Sequence, residues 1–164
     1  MGWKGWGVVA GIMVGLGVMQ GCGSPELAAS KPFPVLDPSK KVLVVELANY
    51  TDTPQAGKRA ANIVEGVLSA KGVTSRLVTK GVSKTRTQQC ALARRQGADY
   101  LLTGGVSEWR YKTGIDGEPA VSLTLQLLDS RQCRTVWSAT GSDDDWGNAS
   151  IGTTAQRLVE AMID

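Results

Sequence analysis

Between Thr103 and Gly147, three runs of residues alternate apolar and polar side chains, separated by short clusters of turn formers. A period of two marks strands with one covered face. Three such runs joined by short loops fold only as an antiparallel meander. In the middle run Val121, Leu123, Leu125 and Leu127 share one face, while Ser122, Thr124, Gln126 and Leu128 share the other. The first connection, Gly114-Ile115-Asp116-Gly117-Glu118-Pro119, combines turn formers with two carboxylates. The second, Asp129-Ser130-Arg131-Gln132, is a tight reversal. Three of the five tryptophans fall in this region, at Trp109, Trp137 and Trp146.

Upstream the period lengthens. Lys41–Asn49 is a nearly continuous apolar run, typical of a central strand covered on both faces. Thr53 predicts an N-cap with Pro54 at the first helical position. The helix runs to about Lys71, with Ala60, Ile63, Val64, Val67 and Leu68 as its inward stripe, and Gly72 stops it. Val73–Thr79 is a second strand with few apolar positions, which places it near an edge. Thr85–Arg95 is a second helix with Cys90, Leu92 and Ala93 inward, and Gly97 ends it. The third strand then enters at Ala98. Strand–helix–strand–helix–strand favours parallel pairing. After the meander, Asn148 or Ser150 caps a last helix whose stripe is Ile151, Ala155, Leu158, Val159 and Met162. The expected fold is therefore one α/β (α+β) domain, residues 41–164. It holds a mixed five-stranded sheet, a βαβαβ unit followed by an antiparallel meander, with three helices.

The first 21 residues are a different material. Lys4 precedes an apolar run, Val8–Met19, of about 12 residues, shorter than the ~20 a spanning helix needs. Met19-Gln20-Gly21-Cys22 follows. This is the layout of a secretory signal peptide ending in a lipobox, so Cys22 is the expected site of lipidation with palmitate-type chains. Gly23 after the cysteine favours the outer membrane. Residues 22–40, with Pro25, Pro32, Pro34 and Pro38 and no periodicity, predict an extended tether.

Composition excludes several functions. There is no histidine among 164 residues, which removes the commonest general base and zinc ligand. With Lys4 lost in the leader, 17 basic and 15 acidic side chains leave a net +2, too little for a nucleic-acid binder. No phosphate loop, nucleophile elbow, cofactor motif or metal-ligand spacing is present. Gly104-Gly105 lies within a strand, where it permits close backbone packing or a bulge. An enzyme finds little support: Asp116 and Glu118 could form a carboxylate pair, but loop carboxylates beside Gly and Pro are usually solvated turn residues. Cys90, on a helix, and Cys133, in a turn, are expected to be two separate thiols, with a disulfide as the alternative that an oxidising compartment permits. Asp143-Asp144-Asp145 predicts a solvated acidic loop, or charge favourable to the following helix. Trp146 either packs over the core or faces a membrane interface.

Four segments carry a resemblance: Asn49–Gly57 (NYTDTPQAG), Glu108–Ala120 (EWRYKTGIDGEPA), Val136–Gly141 (VWSATG) and Trp146-Gly147. In this order they resemble the PelC family, outer-membrane lipoproteins of Pel exopolysaccharide export in biofilm-forming Gram-negative bacteria. The resemblance implies a homo-oligomeric ring, dodecameric, on the periplasmic face of the outer membrane. Its acidic passage would guide a cationic amino-sugar polymer toward a PelB-like porin. It further implies a pore role for Asp116 and Glu118 in the IDGEP loop and a membrane-facing Trp146. Arg110 and Trp109 would be structural or at a subunit interface. The competing expectations are a regulatory lipoprotein that activates a periplasmic peptidoglycan synthase, and a subunit of another secretion ring.

Overall fold

The computed structural model describes residues 24–82, 85–114, 117–146 and 149–164. Cys22 and Asp116 lie outside the described residues. In chain order the elements are β1 (Glu26–Ala29), β2 (Lys41–Val45), β3 (Ala48–Asn49), α1 (Ala56–Ala70), β4 (Thr74–Val78), α2 (Arg86–Arg95), β5 (Tyr100–Tyr111), β6 (Pro119–Asp129), β7 (Arg134–Asp144) and α3 (Ile151–Ile163). One mixed sheet runs β1-β7-β6-β5-β2-β4, with β3 also paired to β5. β2 is parallel to both β4 and β5, whereas β5, β6 and β7 form the antiparallel meander.

The α+β class, the mixed sheet and the three helices agree with the sequence reading. The strand count does not: seven strands form, not five. One extra strand, β3, is a two-residue resumption of pairing beyond Val45, parallel to β5 at Gly105 and Val106. The other, β1, comes from the proline-rich segment and pairs antiparallel with β7, from Glu26 opposite Ser142 to Ala29 opposite Ala139. All four β1 residues are exposed, so no alternation of hydrophobicity announces the strand. Its pairing satisfies backbone groups rather than burying side chains. The segment beyond it is tied down as well. Trp137 Nε1 donates to Lys31 O at 3.0 Å, and the Phe33 ring meets Trp137 edge-on at 4.9 Å. An edge-to-face aromatic pair adds about 0.5–1.5 kcal/mol beyond its buried area.

The two sheet faces are covered unequally. α1 and α3 pack on one face over the larger core, which takes Val42 and Val44 from β2, Val121, Leu123, Leu125 and Leu127 from β6, and Trp137. α2 covers only part of the opposite face, over a smaller core that includes Leu43, Val45, Leu101 and Leu128. β2 is thus buried from both sides, which its unbroken apolar run requires. β4 is an edge strand, as its thin apolar content implied.

Two further expectations are corrected. Thr53 does not cap α1. The N-cap is Gln55, in the left-handed region at φ 61° with no side-chain cap, while the Thr53 hydroxyl donates to Trp109 O. A tertiary partner on β5 has captured the side chain that local pattern assigned to the helix. Cys90 and Cys133 are not separate thiols but form a disulfide, with Cα atoms 5.8 Å apart. The β6–β7 turn, with Cys133 at φ 52°, folds over α2. That helix buries only Cys90 and Ala93, and the covalent link holds an element with little apolar surface of its own. Ser150 does cap α3, its Oγ accepting from Thr153 N at 3.1 Å.

Candidate functional site

Strand register gathers the chain's distinctive residues at one end of the sheet. β5 and β6 run out to Tyr111 opposite Pro119 at that end. β7 arrives there with Asp144 opposite Ala120. Trp146 follows two residues later, 75% exposed. β1 starts at the same end, beside Ser142. The Tyr111 hydroxyl accepts from Ile151 N at 3.2 Å, bringing the start of α3 alongside.

The acidic run is not a loose solvated loop. Asp143 lies on β7 with its side chain 2% exposed, and Arg157 of α3 grips it with Nε at 2.8 Å from one oxygen and Nη2 at 3.0 Å from the other. Arg157 also donates to Asp145 at 2.7 Å and to Asp144 O at 3.2 Å. A two-pronged guanidinium–carboxylate pair is among the stronger and more directional protein contacts. It raises the guanidinium's pKa, the Asp143 bonds contributing most. Asp145 is held below the usual carboxylate range, first by the Trp146 N–H that it accepts at 2.8 Å and then by Arg157. The same clamp therefore fixes the segment that presents Trp146. Asp144 points elsewhere and pairs with Lys112, whose pKa it raises.

Glu118 is half-buried, its Oε2 3.8 Å from Lys112 Nζ. Lys112 N also donates to Glu118 O at 2.6 Å across the base of the loop. Among these ion pairs four carboxylates face two cations, so this end of the domain carries a negative excess without counting Asp116. Arg110 is exposed and pairs with Glu108 at 2.9 Å on its own strand. Trp109 is 2% exposed within the larger core, where its indole N–H has no partner among the described residues.

Sequence reasoning singled out the loop carboxylates and Trp146 but missed Arg157 and Lys112, which organise them. A signal for Arg157 existed. It is the only basic residue of α3, and a helix following three consecutive aspartates supplies the nearest countercharge. Among the described residues no three His, Cys, Asp or Glu side chains converge on a metal-sized site, and no described helix is long and apolar enough to cross a membrane.

No protein-family model and no curated protein matches the chain. Solved structures do. Lipoprotein GNA1162 from Neisseria meningitidis superposes with a TM-score of 0.57 at 22% identity, over 74% of this chain and 94% of that one. XCC0632 from Xanthomonas campestris does so with a TM-score of 0.53 at 13% identity, over 80% and 87%. These likenesses define the class, an α+β domain with a fold that also occurs in a bacterial lipoprotein. The PelC dodecamer from Paraburkholderia phytofirmans is similar in sequence as well: 37% identity over 84% of this chain and 94% of that chain, with a TM-score of 0.76. A variant of that protein, also a dodecamer but in another space group, matches at 0.75. The chain belongs to the PelC family.

Proposed function

We propose that this protein is a lipid-anchored ring subunit of the outer membrane that passes a cationic amino-sugar polymer toward a PelB-like porin, with no catalytic step. The observation that carries the reading is the 37% identity, spanning nearly the whole domain, to a protein that is a dodecamer in two space groups. In this reading acyl chains on Cys22 hold the domain at the periplasmic face of the membrane. Asp116 and Glu118 face the central passage, and Trp146 meets the lipid interface.

The electrostatics of a ring support it. A monomer at net +2 cannot attract a polycation through its overall charge. Closed cyclic symmetry brings the same end of every subunit to one axis, and the negative excess of that end is then repeated within a narrow space. Glu118 is partly neutralised by Lys112, so Asp116 carries the larger share of the attraction. Many weak contacts exchange faster than one tight one, which suits a moving chain.

Light scattering on the purified mature protein tests the assembly, and a ring mass is expected. A strict monomer at high concentration, with and without lipid, overturns the reading. Asp116→Asn should impair polymer export while leaving abundance and melting temperature unchanged. Unaltered export would reduce Asp116 to a turn residue.

A further inference from the structure

The Asn49–Gly57 segment has no part in the function proposed above, yet it borders an open cleft. The cleft encloses about 920 Å³, within the ~300–1,000 Å³ common for small-molecule sites. It runs from the carboxyl ends of the parallel strands β2 and β4 onto the sheet face beside α2, over β5 and β6. The β2–α1 connection leaves toward the face covered by α1, and the β4–α2 connection toward the face covered by α2. Divergence of neighbouring connections to opposite faces opens a crevice, the place where open α/β sheets bind their ligands.

The lining suits a sugar. Tyr50 is 77% exposed, and its ring lies against β5 at Gly105, where an added Cβ would stand 2.7 Å from a ring carbon. Glycine at this position lets an aromatic ring rest on the strand with its outer face open. Around it stand Glu46, Asn49, Arg86, Thr124 and Gln126. Arg86 is spoken for, since Nη2 donates to Gln126 Oε1 at 2.7 Å. Glu46 has no ion pair among the described residues.

We propose that this cleft binds one or two residues of an amino-sugar polymer. The apolar face of a pyranose ring stacks on Tyr50, and its ammonium meets the Glu46 carboxylate. The proposal rests on the amino-sugar reading above and adds a second contact site, with Asp116 not among its lining residues. A neighbouring copy of the chain is the less fitting occupant, because interface cores deplete glutamate, and Glu46 lines this cleft without an ion pair among the described residues. An ammonium also gains from an aromatic face nearby.

The test is calorimetric titration of the purified mature protein with hexamers of glucosamine and of N-acetylglucosamine. The wild type should bind both, the amine-bearing hexamer more tightly. Tyr50→Ala should weaken both, and Glu46→Gln should weaken only the glucosamine hexamer, by roughly tenfold. Asp116→Asn should leave the N-acetylglucosamine hexamer's affinity within about twofold. Tyr50 is a surface residue, and circular dichroism of each variant checks that the fold is kept. Wild-type affinity in both cleft variants, or no binding of either hexamer, overturns the proposal. A change of ring mass in Tyr50→Ala also overturns it, by making the cleft a subunit contact. Loss of binding in Asp116→Asn alone overturns the cleft while leaving the passage reading in place.

Discussion

Replacing Arg157 with Met should expose how much of this domain depends on one cation. Among the described residues Arg157 makes both side-chain hydrogen bonds to the Asp143 carboxylate, at 2.8 and 3.0 Å. The Asp143 side chain is 2% exposed. Methionine keeps the aliphatic stem and leaves that carboxylate buried without a countercharge. Breaking a buried pair from one side costs about 3–5 kcal/mol. Arg157 itself is 37% exposed, so solvent screens part of the interaction, and the lower end, about 3 kcal/mol, applies. Against a total stability of roughly 5–15 kcal/mol this is a large fraction, equivalent to a fall in Tm of roughly 10 °C. The measurement is urea unfolding at pH 7 and fixed protein concentration, because assembly couples to stability. Asp143→Asn should cost much less in the Arg157→Met background than in the wild type, since the stranded charge is then gone, with a coupling of about 1–2 kcal/mol. A loss below about 1 kcal/mol for Arg157→Met, or strict additivity in the double variant, would refute the assignment of Arg157 as the clamp on β7.

Three further outcomes are expected. Cys90→Ala with Cys133→Ala opens a link that spans 43 residues and should lower stability by about 3–4 kcal/mol on the chain-entropy account; a melting curve indifferent to the substitution and to reductant would show that α2 is held by packing alone. Asp99 and Asp145 are both held below the usual carboxylate value, Asp99 first by the Lys41 N–H and then by Lys40. Their stabilising effect is therefore complete above about pH 5 and fades as the pH drops through their depressed folded values; acid unfolding curves of Asp99→Asn and Asp145→Asn should be flatter than wild type below pH 4, and parallel curves would deny the linkage. Gly104→Ala would put a Cβ 1.9 Å from Thr124 O, in backbone that cannot move without disturbing the β5–β6 ladder. It should destabilise by about 2–3 kcal/mol in thermal melts, and an unchanged Tm would mean that the strands can separate there freely.

The parts of the fold that were legible in the sequence are those where side-chain chemistry repeats with the backbone period. Val121, Leu123, Leu125 and Leu127 announce β6, and Ala60, Val64, Val67 and Leu68 announce α1, because burial of one face leaves a regular mark. What the sequence concealed depends on partners remote along the chain. β1 is held by hydrogen bonds to β7, over a hundred residues away, and its four exposed side chains carry no pattern. Thr53 has the right chemistry for a helix cap, but the Trp109 carbonyl lies closer. Cys90 and Cys133 meet only once the β6–β7 turn has been laid across α2. The Asp143–Asp145 run was visible as charge, but whether it faced water or a guanidinium depended on the docking of α3. Tyr50 stood in the sequence only as one letter of the Asn49–Gly57 segment. That it rests on a bare glycine of β5 became apparent only with the register of β3.

The pairing of β1 with β7 sets a leash length. If the lipid is carried on Cys22, only four residues separate the anchor from Glu26, the first residue locked into the sheet. A fully extended chain spans at most about 3.3–3.6 Å per residue, so the anchor point lies within about 14 Å of the sheet's end. A leash running free to Lys41 would have reached more than four times as far and left the domain free to tumble beneath the bilayer. The short one admits few orientations. The sheet end held near such an anchor is the one from which the exposed Trp146 emerges. With a lipid on Cys22, two hydrogen-bonded strands would restrict the subunit's tilt as a second membrane anchor would.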